Sequence, residues 1–156
     1  YVLKMKTFPL VDQFDLETHL SKSTRHIIIH GWWCKNFMSF GKLNVGTRWE
    51  KLTHYTHEDP TLELMDMVGG VHGSIRPCDV IPDNCIHFVD QTTDDVVDEQ
   101  MLHCIRSNTP VLIRRNATTE EYLGSDYVLM FDDIRTAHGL LTDDNIKLAH
   151  EQLKRI

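Results

Sequence analysis

Residues 127–131, Tyr-Val-Leu-Met-Phe, form an unbroken apolar run that ends on Asp132-Asp133. The run has strand length, and an apolar segment without alternation suits a strand covered on both faces. Further on, Thr142-Asp143-Asp144 offers an N-cap and an acidic first turn, which complement the dipole of a helix start. Ile146, Ala149 and Leu153 then fall on one helical face. Tyr127–Arg155 is therefore predicted as a buried strand, a turn beginning at Asp132-Asp133, and an amphipathic helix. A strand covered on both faces needs helices packed over it, so the C-terminal half is constrained to an α/β arrangement.

The same grammar runs upstream. Cys85-Ile86-His87-Phe88-Val89 is predicted as a strand ending at Asp90. Gln91-Thr92-Thr93-Asp94-Asp95 supplies an N-cap and acidic residues, and Val97, Met101 and Ile105 recur at helical spacing until Ser107-Asn108. Pro110-Val111-Leu112-Ile113 is the next strand, followed by Arg114-Arg115, and Asn116–Ser125 reads as a polar excursion. Nearer the N-terminus the pattern is mixed. Asp15–Ser21 suits a helical turn, and His26–His30 is a β-branched strand stopped by Gly31. Phe40–Gly46 reads as loop, Thr61–Val68 as a short helix ended by Gly69-Gly70, and Asp79-Val80-Ile81 as at most a short strand between Pro77 and Pro82. Residues 1–156 are expected to form one α/β domain with a largely parallel central sheet and an irregular N-terminal portion. The chain starts at Tyr1 rather than Met, which reads as a fragment or a processed chain.

Composition narrows the function classes. With 156 residues, 41% hydrophobic and 25% charged, the chain is ordinary for a globular domain. A net charge of −7 disfavours a broad nucleic-acid-binding face, which needs clustered cations. No apolar run approaches the roughly 18 residues of a membrane-crossing helix, and the first residues lack a signal-peptide core. Cys34, Cys78, Cys85 and Cys104 form no CxxC pair, so they read as reduced thiols in a cytoplasmic setting rather than zinc ligands. His54-Tyr55-Thr56-His57-Glu58-Asp59 gathers polar side chains before Pro60 without a third ligand at metal-site spacing, and reads as a polar loop. Trp32, Trp33, Phe37 and Trp49 follow the 26–30 strand closely. Their plainest role is core or a hydrophobic edge.

The segment from Val128 to Gly139 carries the strongest chemical pattern. An apolar strand delivers two carboxylates to its end, and a turn of small residues follows. Such a turn can offer backbone N–H groups to a phosphate, and paired carboxylates can hold ribose hydroxyls or Mg2+. Here the chain resembles the type I phosphoribosyltransferases. Their diphosphoribose-binding loop has an apolar strand, two acids, two apolar residues and a Thr-Ala-Gly or Thr-Thr-Gly turn. The strand, Asp132, Asp133, Ile134, Thr136 and Ala137 fit that pattern. Pro110–Arg115 is similar to the family's strand ending in a basic residue that touches pyrophosphate, and Asn116–Ser125 stands in place of its mobile loop. Asp79-Val80-Ile81-Pro82 is similar to the strand that leads into the pyrophosphate loop. The resemblance spans about 79–153.

The resemblance implies that Asp132 and Asp133 act as the catalytic and Mg2+-holding carboxylates. It implies that Thr136, Ala137, His138 and Gly139 hold a 5′-phosphate, and that Arg114 and Arg115 meet pyrophosphate. Arg135, His138 and Leu140 depart from the pattern, so the expected protein is a degenerate relative that binds a phosphosugar or nucleotide. The plain alternative is that Asp132-Asp133 ends a strand and solvates a turn. Two other functions fit less of the chain: an interaction domain with a protein partner at Trp32-Trp33, and a metal-dependent nuclease using Asp83 and Asp90. Asp132-Asp133 also suits the metal-bound diphosphate of a nucleotide-sugar transferase, without the N-terminal glycine signals that such a reading needs.

Overall fold

A computed structural model describes residues 13–30, 39–54, 75–78, 80–90 and 98–156. Six strands line up in one parallel sheet: β1 (Arg25–His30), β2 (Trp49–His54), β3 (Ile75–Cys78), β4 (Ile86–Val89), β5 (Val111–Arg114) and β6 (Met130–Phe131). Their spatial order is β3-β2-β1-β4-β5-β6, and every neighbouring pair is parallel. The predicted α/β domain with a parallel sheet is the fold observed. The order reverses direction between β1 and β4, as in doubly wound dinucleotide-binding sheets, where the crevice outside the carboxyl ends receives ligands.

β1 shows how the sequence sets the layers. Ile27 and Ile29 enter the larger hydrophobic cluster, whereas Ile28 joins Leu52 and Cys85 in a smaller one. This is the two-residue alternation of a strand covered on both sides. The larger cluster centres on Phe40, Phe88 and Phe131, with Phe88 stacked on Phe131 at 5.6 Å and near Phe40 at 5.0 Å.

The helices start where short polar side chains can cap them. Asp15 caps α1 (Leu16–Ser21) by accepting from the Thr18 N–H. Asp98 caps α2 (Glu99–Ser107), accepting from the N–H groups of Gln100 and Met101, and Asn108 ends it in the left-handed region at φ 55°. The expected cap at 91–95 lies outside the described residues, as do the helix expected at 61–68 and Trp32, Trp33 and Phe37. Thr142 caps α4 (Asp143–Lys154), whose Ile146, Ala149 and Leu153 are buried as predicted. Buried Arg25 ties three of these parts together. Its guanidinium bonds Asp143 at the start of α4 and the Leu20 carbonyl of α1, and it lies over the Trp49 ring.

Several expectations are corrected. Asn116–Ser125 is not an excursion but contains α3 (Ala117–Leu123), closed by a capping box between Asn116 and Thr119. Leu123 and Thr119 are buried beneath it. Asn116→Ala is expected to cost about 1 kcal/mol, read as a lower urea midpoint with an unchanged slope. The 79–81 strand is displaced to β3, and Val80 is largely exposed. β3 lies at one margin of the described sheet, which is where Pro77 is tolerated in a strand.

Trp49–His54, to which the sequence pattern assigns no element, is β2. Its Lys51 is buried at 3% exposure, with Nζ donating to the carbonyls of Phe40 (3.0 Å) and Leu43 (2.8 Å). Burial pulls its ammonium down to about 8. The 127–131 run is in the sheet only at Met130-Phe131.

Candidate functional site

Parallel strands bring their carboxyl ends to one edge, and here β1, β4, β5 and β6 end at His30, Val89-Asp90, Arg114 and Phe131-Asp132. Arg114 is the hub. Its guanidinium forms a two-point pair with the carboxylate of buried Asp90, beyond β4, and Nη1 donates to the Asp132 carbonyl at 3.1 Å, beyond β6. It also lies 5.0 Å above the Phe131 ring. The Asp90 hydrogen bonds, with the nearby charges of Asp133 and Asp132, raise the Arg114 guanidinium above its ordinary range. Two-point pairing to a buried carboxylate fixes the plane of the guanidinium.

Arg115 forms a second positive centre. Its Nε stands 3.3 Å from the Asp132 carboxylate, and Nη1 reaches Glu120 at 3.4 Å and the Ser125 carbonyl at 3.1 Å. Asp132 is 77% exposed. Asp133 turns back on its own loop and accepts from the Arg135 backbone N–H at 2.9 Å. That bond, with the Arg135 side chain, holds its carboxyl below the usual range. Asp90, Arg114, Arg115 and Asp132 thus meet at one edge, with Asp133 beside them.

The turn expected to cradle phosphate lies elsewhere. Ala137–Leu140 is a single 3-10 turn in which Ala137 is buried. The N–H groups of Thr136, Ala137 and Gly139 donate to the carbonyls of Asp133, Ile134 and Thr136. They are committed inside the turn rather than pointed at a ligand. A Cβ on Gly139 meets nothing within 4 Å, so no close approach requires glycine there. His138 lines a cavity of about 220 Å³ with Asn44, Gly46, Trp49 and Leu141. Trp49 begins β2, whereas Arg114 ends β5, so His138 and the Arg114 edge lie toward opposite ends of the sheet.

Asp83 and Asp90 do not converge either. Asp83 precedes β4 and Asp90 follows it, so a four-residue strand, about 13 Å long at 3.3 Å per residue, stands between them. Among the described residues, no three His, Cys, Asp or Glu side chains gather to hold a metal ion. Nor is any helix among them long and apolar enough to cross a membrane.

The sequence places Asp90 at a strand end with Arg114 and Asp132-Asp133, but it does not give the pairing of Asp90 with Arg114. Asp90 is 24 positions from Arg114, and the usable signal was only that both residues directly follow apolar strand runs. No family model matches the chain, and the search of curated proteins finds no match.

Proposed function

We propose that the carboxyl edge of β4, β5 and β6 binds a phosphosugar or nucleotide as its magnesium complex. The observation that carries this reading is the tie of three neighbouring strand ends around Arg114. A guanidinium fixed in this way presents its remaining edge to a phosphate with little ordering cost. Arg115 adds charge for a second phosphate, and exposed Asp132 and Asp133 supply acceptors for ribose hydroxyls. Two carboxylates alone are a sparse magnesium site. Magnesium commonly takes one or two carboxylates plus substrate phosphate oxygens, so the metal arrives with the ligand.

The similarity to phosphoribosyltransferases, most specific at Asp132–Gly139, supports phosphoribosyl pyrophosphate as the first probe. In a transferase of this kind, the arginines stabilise the departing pyrophosphate electrostatically. The committed N–H groups of Thr136, Ala137 and Gly139 favour a binding domain over an efficient transferase. The thiols of Cys85 and Cys104, free and buried, support a reducing, cytoplasmic setting.

Calorimetric titration with phosphoribosyl pyrophosphate or ADP in magnesium is expected to give saturable heat. The Asp132→Asn/Asp133→Asn pair, whose amide oxygens can still accept hydrogen bonds, is expected to lose the magnesium-dependent part. Arg114→Lys is expected to weaken binding by roughly tenfold to a hundredfold, the worth of a lost charge-assisted bond. No heat at millimolar ligand, or heat unchanged in both variants, sinks the reading.

A further inference from the structure

Four imidazoles form a row across one face of the sheet. His54 and His30 are register partners at the ends of β2 and β1, with ring centroids 5.4 Å apart, edge to face. His30 stacks on His87 of β4 at 5.5 Å and 24°. His87 in turn meets His103 of α2 at 5.5 Å. Because Ile28 is the register partner of both Leu52 and His87, all three sheet histidines share the face of Ile28.

α2 rests on this row. His87 is 4% exposed, and its Nδ1 lies 3.0 Å from the Gln100 amide nitrogen. An amide nitrogen only donates, so Nδ1 accepts and the ring proton is assigned to Nε2. The same Gln100 nitrogen reaches the Ile28 carbonyl at 3.4 Å. Next to this contact, His87 and His103 line a cavity of about 720 Å³, with Phe14, Pro82, Asp83 and Thr109 among its other walls.

Among the described residues, the rings have no counter-charge paired with them: no carboxylate forms an ion pair with any of the four, and the one His–carboxylate pair is His26 with Glu50. From β2 the row faces His54, from β1 His30, and from α2 His103, with Arg106 bearing on His103. Asp98 on α2 is engaged as its N-cap, and Asp90 beyond β4 is held by Arg114. Across the cavity, Asp15 caps α1, and Asp83 pairs with no ring.

We infer that the histidine row is an acid-operated latch, in which proton uptake lifts α2 from β4 and widens the cavity that His87 and His103 line while the rest of the sheet stays folded. In the closed form, burial first and neighbouring imidazoles second pull His30 down to about 4 and His87 well below its ordinary range. Burial and then Arg106 lower His103. Once opened, the rings regain an ordinary value near 6.5. The open form therefore binds more protons between pH 6.5 and about 4, and falling pH favours it. The second proton on the row meets the first at stacking distance, which adds repulsion to the same motion.

Hydrogen exchange on the intact chain from pH 8 to 4.5, corrected for the intrinsic pH dependence, tests the latch. The opening constant of the α2 amides is expected to rise by about tenfold per pH unit for each ring that takes up a proton on opening. α4 is expected to stay better protected than α2 throughout that range, its protection falling only as the fold as a whole weakens. His103→Gln, at a half-buried position, is expected to flatten the slope, and His30→Gln is a second variant if the first folds poorly. The latch is overturned if α2 and α4 lose protection together with the same slope, or if the α2 slope is unchanged in the folded variants.

Discussion

Tyr127→Phe is expected to lower the free energy of unfolding by about 2–4 kcal/mol, a large effect for one oxygen atom. The Tyr127 hydroxyl is buried, donates to the Val111 carbonyl at 2.8 Å and accepts from the Val111 N–H at 2.9 Å. Val111 opens β5 at a point where β6 does not yet run alongside it. The phenol takes the place of a neighbouring strand and satisfies both backbone groups. Phenylalanine keeps the ring and its packing but orphans a buried donor and a buried acceptor, each costing about 1–3 kcal/mol. Urea denaturation at pH 7 measures the loss. A change below about 0.5 kcal/mol would show that water replaces the hydroxyl without penalty.

Acid is expected to weaken the whole fold through His19. This ring is fully buried between Phe14 at 5.4 Å and Trp49 at 5.5 Å. Its Nδ1 bonds the Asn84 carbonyl at 2.9 Å, and its Nε2 has no partner. Burial pulls the imidazole down to about 4. The unfolded chain holds more protons between 6.5 and 4, so His19's contribution is complete above pH 6.5 and is lost as pH falls through that window. The full loss is about 3 kcal/mol. His19→Gln removes the titration, and the stability difference between pH 7 and pH 4.5 is expected to shrink by about 2–3 kcal/mol. An undiminished difference would place the acid sensitivity elsewhere.

The C-terminal half was legible because its signals are local. α4 shows a cap, an acidic first turn and a helical apolar stripe within a dozen residues. β1, β4 and β5 are apolar runs ended by polar residues. What escaped depends on distant partners. β2 has a lysine at a core position, and the carbonyls that accept it come from Phe40 and Leu43 on another segment. α3 was obscured by consecutive threonines, poor helix formers; the Thr119 hydroxyl serves here both in the capping box and in a bond to the Arg114 carbonyl. The last strand is shorter than its apolar run because Tyr127 turns its side chain toward β5.

The site divides along the same line. Arg114, Arg115, Asp132 and Asp133 were visible as polar residues at the ends of apolar runs, and they gather at one edge. That Arg114 is held by Asp90 depends on β4 and β5 being adjacent, which no local pattern states. Thr136–Gly139 looked like a phosphate turn by composition. Small residues permit an open loop, but they equally permit a tight turn that uses its own N–H groups.

The margins of the sheet bear on solubility. An exposed strand edge is a template on which a second chain can add, the route by which parallel sheets seed aggregates. Here one margin carries Pro77, which lacks an N–H to offer, and the other is the two-residue β6. Neither gives an incoming strand a long ladder, so the described sheet resists growth sideways. Replacing Pro77 by a β-branched residue restores a donor at that margin, and would be a poor choice in any effort to stabilise the protein at high concentration.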